Sequence, residues 1–333
     1  MKSRRSFLKT AAAGAVVASV MPSRIWAQPK TIQGVKIGCI TYSFRSLPDQ
    51  SAEATLQYVL DCGINAIELM GEPAEYYAGM PKSGVNRMRM FQLGRKQRNG
   101  ETLTEEESKE LAAMRVESEA YGQEVKKWRA SADFSKFEQM RKMYNAAGVE
   151  IYGFKPSAFG KNNTDEEIIY GMKAAKALGA SHVTLEHPSD DAHTLKLGKM
   201  GEQQGMIVAY HGHEQQTFDF WDTALAQSPN NALNLDAGHY IAAGHDSLFD
   251  LINKHHLRIM SMHLKDRQTP ANGKGNLMWG QGDTPIEEIL LLMKKNQYKF
   301  PVTIELEYDI PGGSNPVAEV KKCYEMCRKV LES

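Results

Sequence analysis

Four apolar runs of this sequence each end in, or carry near their end, a side chain that binds metal ions: VTLE at Glu186, LNLD at Asp236, IMSMHL with His263, and VTIE at Glu305. Three carboxylates and one imidazole make a mostly oxygen donor set. Such a set suits Mn2+, Mg2+ or Co2+, with Zn2+ as a further candidate. Taken singly, an Asp or Glu at a strand end serves as readily as a helix N-cap. Four of them, each at the end of such a run, point to one divalent-metal pocket.

The elements that must position these residues repeat along the chain. Runs rich in β-branched residues occur at 35–41, 64–69, 149–154, 181–186, 206–211, 231–236, 259–264 and 301–306. Most are near-continuous apolar runs, as expected of strands covered on both faces. Helix signals lie between them. Thr164 and Glu167 form a capping box and Gly179 a stop. Thr284-Pro285-Ile286-Glu287 predicts an N-cap, a Pro at the first helical position and a capping Glu. Gly63 and Gly148 close two further helices. Eight such units predict one closed parallel α/β barrel over residues 28–333, its catalytic residues at the C-terminal ends of the strands. A doubly wound open sheet is the rival. It is disfavoured because no G-x-G-x-x-G follows the first strand. Residues 70–148 read as a helical insertion between strands 2 and 3, with a charged, solvated helix from about Glu105 to Lys127 capped by Thr104 and Glu107. The Tyr76-Tyr77 loop in that insertion is expected to serve as a lid.

Residues 1–27 read as an export signal rather than as fold. Adjacent Arg4 and Arg5 precede Phe7-Leu8-Lys9, a short apolar run and Ile25-Trp26-Ala27, the pattern of a twin-arginine signal peptide. This predicts a periplasmic or otherwise exported protein with no stable membrane span. Without that segment the formal net charge moves from zero to −5, which argues against a nucleic-acid partner. Cys39, Cys62, Cys323 and Cys327 form no C-x-x-C motif and are expected to be buried thiols.

Further polar residues point into the same pocket. His211 and His213 leave strand five on one face, so one of them contacts substrate or metal, or supports a ligand from behind. Lys265 binds a substrate oxygen or stabilises an enolate. Lys155 and Glu68 line the pocket, or Glu68 pairs with Lys155. Trp279 offers a stacking face for a sugar. His187 points away by strand alternation. The loop Gly280-Gln281-Gly282-Asp283 shapes the run into the following helix, with phosphate cradling as the alternative.

With these motifs the mature chain resembles the xylose-isomerase-like TIM-barrel superfamily, the sugar phosphate isomerase/epimerase group. The matching residues are Glu68 in AIELMG, Glu186 in VTLEHP, His211 and His213 in AYHGHE, Asp236 and His239 in NLDAGHY, His263 to Asp266 in HLKD, Gly280 to Asp283, and Glu305 in TIELEYD. The resemblance implies a (β/α)8 barrel with one divalent metal on Glu186, Asp236, His263 and Glu305, Glu307 being the alternate to Glu305. It implies that His239 orients substrate, or is a structural loop His. It further implies that Glu186 and Glu305, four strands apart, are the acid/base pair of a metal-dependent isomerase or epimerase. In that chemistry the metal chelates a carbonyl and the adjacent hydroxyl of a keto-sugar, a carboxylate removes the proton between them, and an enediolate forms. The substrate is expected to be an unphosphorylated keto-sugar or polyol derivative, since no Arg cluster for phosphate is visible. The alternative is a lyase or dehydratase that expels an oxygen from the same enolate of a 3-keto-glycoside or inosose. A non-catalytic sugar-binding protein is the third reading. Homo-oligomers are common in the group.

Overall fold

Each apolar run forms a short strand whose faces are both covered, by the barrel interior on one side and helices on the other. The computed structural model describes residues 31–333, so the expected export signal lies outside the described residues. The strands are β1 (Ile37–Ile40), β2 (Ala66–Met70), β3 (Glu150–Lys155), β4 (His182–Glu186), β5 (Ile207–His211), β6 (Asn231–Asp236), β7 (Ile259–Leu264), a hairpin of β8 (Asp266–Arg267) and β9 (Asn276–Leu277), and β10 (Val302–Ile304). All but β8 and β9 pair in parallel and close into a barrel in the order β1-β2-β3-β4-β5-β6-β7-β10. Every expected strand run is present, its ends within two residues of those read from the sequence. Register brings the site together. Glu186 pairs with His211, Asp236 with His263, and His263 with Thr303, two residues before Glu305.

The helices are α1 (Ala52–Asp61), α2 (Gly71–Tyr77), α3 (Arg87–Arg98), α4 (Glu105–Ala130), α5 (Phe134–Ala146), α6 (Asp165–Leu178), α7 (Asp191–Gln204), α8 (Asp222–Gln227), α9 (Ala237–Ala242), α10 (Leu248–His255), α11 (Ile286–Asn296) and α12 (Pro316–Glu332). The Thr164/Glu167 capping box opens α6, and Gly179 ends it at φ 80°. One cap differs from expectation. The α11 helix starts at Ile286 without a side-chain cap, because the Thr284 hydroxyl accepts the Arg267 backbone N–H at 3.0 Å instead. The four cysteines are buried and free.

The insertion between β2 and β3 is less uniform than its composition suggests. Its last helix, α5, buries Phe137, Met140 and Tyr144 in the main core, so α5 is a helix of the barrel itself. The α3–α4 pair holds a small core of its own, Val85, Leu93, Leu111 and Met114. Tyr76 and Tyr77 lie in α2, a helix rather than a loop. The Thr104/Glu107 box caps α4 as expected. The far end of α4 is not solvated, however. Arg129 is buried there between Glu75 of α2, at 3.3 Å, and Glu167 of α6, at 3.1 Å. Tyr170 adds a hydrogen bond to Glu75. A buried cation with two carboxylates resists separation, since removing one partner strands a charge. Among the described residues no helix is long and apolar enough to cross a membrane.

The barrel interior below the C-terminal rim is polar. Glu68, His182, Thr184, Asn234, Ser261, His263 and Thr303 are all at most 1% exposed. All but Thr303, whose hydroxyl meets Tyr152 Oη at 2.7 Å, bond one another across the barrel, as buried polar groups must. His182 Nε2 meets Ser261 Oγ at 3.2 Å, and Asn234 Nδ2 donates to Ser261 Oγ at 2.6 Å.

Candidate active site

His263 is the centre of this network. Its Nε2 lies 2.9 Å from Glu68 Oε2, and its Nδ1 lies 3.0 Å from Glu305 Oε2 and 4.0 Å from Asp236 Oδ2. Thr184 Oγ1 donates to the other Glu68 oxygen at 2.8 Å, and Asn234 Nδ2 donates to Glu68 Oε2 at 3.0 Å. Burial alone pushes the Glu68 carboxyl up, yet the neighbouring His263, with Lys155 and His182, brings it down to about 2. Burial likewise opposes charge on His263, and the Glu68 and Glu305 carboxylates overcome it, raising the imidazole to about 10. Glu68 therefore sits beneath the pocket with its carboxylate already occupied. It neither lines the pocket nor pairs directly with Lys155, because the barrel closure delivers His263 to it first.

Asn234 also orients His211. The amide nitrogen of Asn234 is donating to Glu68 and Ser261, so its Oδ1 accepts from His211 Nδ1 at 2.7 Å. Burial keeps His211 neutral, well below the usual imidazole range, with Lys155 and His263 adding to the effect. The Nε2 lone pair is then left 3.8 Å from Asp236 Oδ2. Asp236 caps α9 through Oδ1, which accepts the His239 backbone N–H at 2.7 Å. Its Oδ2 is buried without a hydrogen-bond partner among the described residues. Lys265 Nζ approaches that oxygen at 3.0 Å, but off a hydrogen-bonding direction. A carboxylate oxygen that meets a cation without accepting a hydrogen bond keeps a lone pair for a further donor or ion. One nitrogen each of His211 and His263 and one oxygen of Asp236 lie within 4.8 Å of one another, as do nitrogens of His211, His213 and His239. This donor set fits a metal ion.

The Lys265 ammonium bridges the carboxylates, 2.7 Å from Glu305 Oε2 and 2.8 Å from Glu307 Oε2. Burial disfavours its charge, but Asp236, Glu305 and Glu307 hold it well above the usual lysine range. Glu305 is correspondingly pulled well below the usual carboxylate range by Lys265 and His263, against its burial. Gly238 makes this approach feasible, since a Cβ there would stand 2.5 Å from Lys265 Cγ. His239 lies between two cations. Arg267 Nη1 is 2.6 Å from its Nδ1, and Lys265 Nζ is 3.1 Å from its Nε2. Burial, Lys265 and His213 bring its pKa down to about 2, so the ring is neutral. A guanidinium can only donate, so Nδ1 accepts and Nε2 carries the hydrogen. That N–H faces Lys265, another donor. Glu307 Oε2 lies 3.8 Å from the same nitrogen.

Glu186 stands on the opposite side of the barrel and is half exposed. Lys155 Nζ donates to it at 2.7 Å, and His213 Nε2 is 3.3 Å away. Lys155 thus pairs with Glu186 rather than Glu68. The His211 and His213 rings are 5.1 Å apart, and those of His213 and His239 are 4.5 Å apart. His187 turns away from this cluster onto Phe220 and Tyr210. Trp279 is half-buried against the main core, and its Nε1 is buried without a partner among the described residues.

Sequence reading missed several residues that hold the site. The Gly280-Gln281-Gly282 amides do cradle an anion, but it is the carboxylate of Asp266. The three amides donate to Asp266 Oδ2 at 2.7, 3.1 and 2.9 Å, and Thr284 N–H donates to Oδ1 at 3.2 Å. This leaves the nest no room for a phosphate and fixes the chain just after Lys265. Arg267 was also unforeseen, although strand alternation puts it on the face of His263 and Lys265. Glu214 holds it at 2.8 Å.

Comparison with known proteins agrees with this architecture. The family described as Xylose isomerase-like TIM barrel matches residues 113–330. An inosose dehydratase of Clostridium perfringens (strain 13 / Type A) is 28% identical over 142 residues, 37% of this chain and 47% of that protein. The chain thus spans about half the length of that relative. A sugar phosphate isomerase/epimerase of Parabacteroides distasonis ATCC 8503 superposes with a TM-score of 0.56 at 16% identity, covering 90% of this chain and 96% of the other. The IOLI protein with a bound zinc atom gives 0.57 at 13% identity, covering 90% and 98%. At such identities these two likenesses are of fold alone.

Proposed function

The chain belongs to the xylose isomerase-like TIM barrel family, and on that premise we propose that it is a divalent-metal-dependent isomerase or epimerase of an unphosphorylated keto-sugar or polyol derivative. One observation carries the reading. Glu186 ends β4 and Glu305 follows β10, and these strands are diametrically opposite in the ring of eight. Two carboxylates on opposite sides of a bound sugar can take a proton from one face and return one from the other.

Asp236, His263 and Glu305 would hold the metal, with Glu186 and His211 Nε2 as further donors. Asp236 Oδ2, which meets the Lys265 ammonium but accepts no hydrogen bond among the described residues, supports this. So does the Glu68–His263 contact, since a carboxylate on one imidazole nitrogen orients the other toward a metal. When bound, the ion supplies Lewis acidity to a carbonyl oxygen and its neighbouring hydroxyl. One of Glu305 and Glu186 takes the proton from the carbon that bears the hydroxyl, and the other returns a proton to the opposite face of that carbon. Lys265 and the His239 Nε2–H present donors where oxygen gains negative charge. Arg267 is committed to His239, Glu214 and the Lys274 carbonyl, which agrees with an unphosphorylated substrate. Export through the twin-arginine route is part of the same proposal and rests on Arg4 and Arg5.

The second reading, loss of water or of a glycosidic oxygen from the same activated carbon, is favoured by the likeness to the inosose dehydratase. Mass detection of products separates the two, since a released water or fragment identifies a lyase. Metal dependence tests what they share. Dialysis against a chelator should abolish turnover of carbonyl sugars, and Mn2+, Co2+ or Zn2+ should restore it. A metal at a hundredfold excess over its Kd also stabilises the fold by about 2.7 kcal/mol, visible as a raised melting temperature. Turnover and melting that ignore the chelator would refute the metal site.

A further inference from the structure

Between the β3–α6 and β4–α7 connections lies a cavity of about 420 Å³, and Lys155 and Glu186 are among its lining residues. It therefore extends the site outward on the Glu186 side. Its apolar lining comes from Met70, Pro156, Phe159, Leu185 and Pro188, of which Phe159 and Leu185 are buried. Ser157 and Lys161 stand exposed at its edge. Contacts within and between the two connections tie the walls together. His193 Nε2 donates to the Phe159 carbonyl at 2.8 Å, Gly160 N–H donates to Asn163 Oδ1 at 2.9 Å, and Lys161 pairs with Asp190 across the two connections at 3.0 Å.

We infer that this cavity is a subsite for the non-reacting part of the substrate, that this part is a neutral, ring-shaped substituent with an apolar face, and that the substrate is accordingly a glycoside of the sugar ketone rather than a free monosaccharide. The inference rests on the proposed reading of Glu186 as a reacting residue. Reacting carbons placed between Glu186 and Glu305 lie inside the barrel rim, and a free sugar there would leave the cavity unused. Its volume falls within the roughly 300–1,000 Å³ of sites that hold drug-sized ligands, so a further ring fits. The chemistry of the walls selects the ring. The polar side chains of the lining are largely engaged within the chain, Thr184 with Glu68, Asn163 Oδ1 with Gly160 N–H and His187 Nδ1 with Ser189 N–H, so sugar hydroxyls would find few partners, whereas an apolar ring face buries against Phe159, Leu185 and the two prolines. Both lysines are already neutralised, Lys155 by Glu186 and Lys161 by Asp190, so an anionic substituent gains little.

The test needs no turnover. 4-Nitrophenyl β-D-glucoside and D-glucose are titrated calorimetrically into the Mn2+-loaded protein and into Ser157→Trp, whose indole fills the cavity from an exposed position outside the proposed reacting groups. The nitrophenyl ring should add at least about tenfold in affinity to the wild type, the scale of burying one apolar ring. Ser157→Trp should remove that gain while its melting temperature and its response to metal stay unchanged. An aglycone that adds less than about threefold to the wild type, undetectable binding included, or a gain that survives Ser157→Trp, overturns the subsite. Discrimination by the wild type in a protein that turns over no keto-sugar leaves the subsite standing and defeats the catalytic reading. Turnover of free and glycosidic ketones with equal kcat/KM does the reverse.

Discussion

Glu305→Gln lowers kcat by about 10²–10⁴-fold at saturating metal, the range expected when a positioned base is lost. The amide keeps the shape of the side chain but cannot accept the substrate proton. Glu186→Gln has an effect of the same order, since in an epimerisation each carboxylate serves one face. Glu307→Gln provides the comparison. Its carboxylate meets Lys265 at 2.8 Å, whereas Glu305 also reaches His263 Nδ1 at 3.0 Å. The structure thus places Glu305 beside His263 and Glu307 one contact further out. Steady-state kinetics of the three variants, with metal content measured in parallel, checks this. Turnover retained in Glu305→Gln but lost in Glu307→Gln would exchange their roles.

Glu68→Ala has the largest expected effect on stability. Glu68 is fully buried and accepts hydrogen bonds from His263, Thr184 and Asn234. Removing it leaves the raised His263 imidazole without its Nε2 partner and frees two further donors. Breaking a buried ion pair from one side costs about 3–5 kcal/mol. Urea unfolding should show that loss as a lower midpoint. Metal affinity should also fall, by about 10–100-fold, because His263 loses the group that orients it. Glu68→Gln keeps an acceptor for His263 and should recover most of the stability. A Glu68→Ala protein with an unchanged midpoint would show that the network under the site does not hold it.

Much of this architecture is legible in the sequence, for reasons that also set its limits. The barrel strands show as apolar runs because burial on both faces removes polar alternation. The residues at their ends show because a carboxylate or His after such a run is conspicuous. The contacts that hold those residues are not visible in this way. Glu68 and His263 are 195 positions apart, and only ring closure makes them neighbours. Nothing local in AIELMG marks Glu68 as a partner for an imidazole rather than a pocket wall. The β8–β9 hairpin has strands of two residues, too short for any periodic signal. Its tie to Gly280-Gln281-Gly282 depends on Asp266 reaching back over the loop. Composition gave the right chemistry for that loop, an anion-binding nest, but could not show that the chain supplies its own anion. Tyr76-Tyr77 looked like a loop because α2 is only seven residues long and its hold, Glu75 on Arg129, comes from a distant helix.

Glu186 and Glu305 are proposed to take and return a proton on the carbon next to a carbonyl. The most direct measurement is solvent exchange. The metal-loaded protein is incubated in D2O with a panel of keto-sugars and oxidised glycosides, and the recovered molecules are weighed by mass spectrometry. With this pair at work, at least one sugar should gain a single deuterium at the carbon beside its carbonyl without loss of water or aglycone, and Glu186→Gln and Glu305→Gln should suppress the gain. A panel in which no sugar exchanges, or in which exchange proceeds undiminished in both variants, would contradict it.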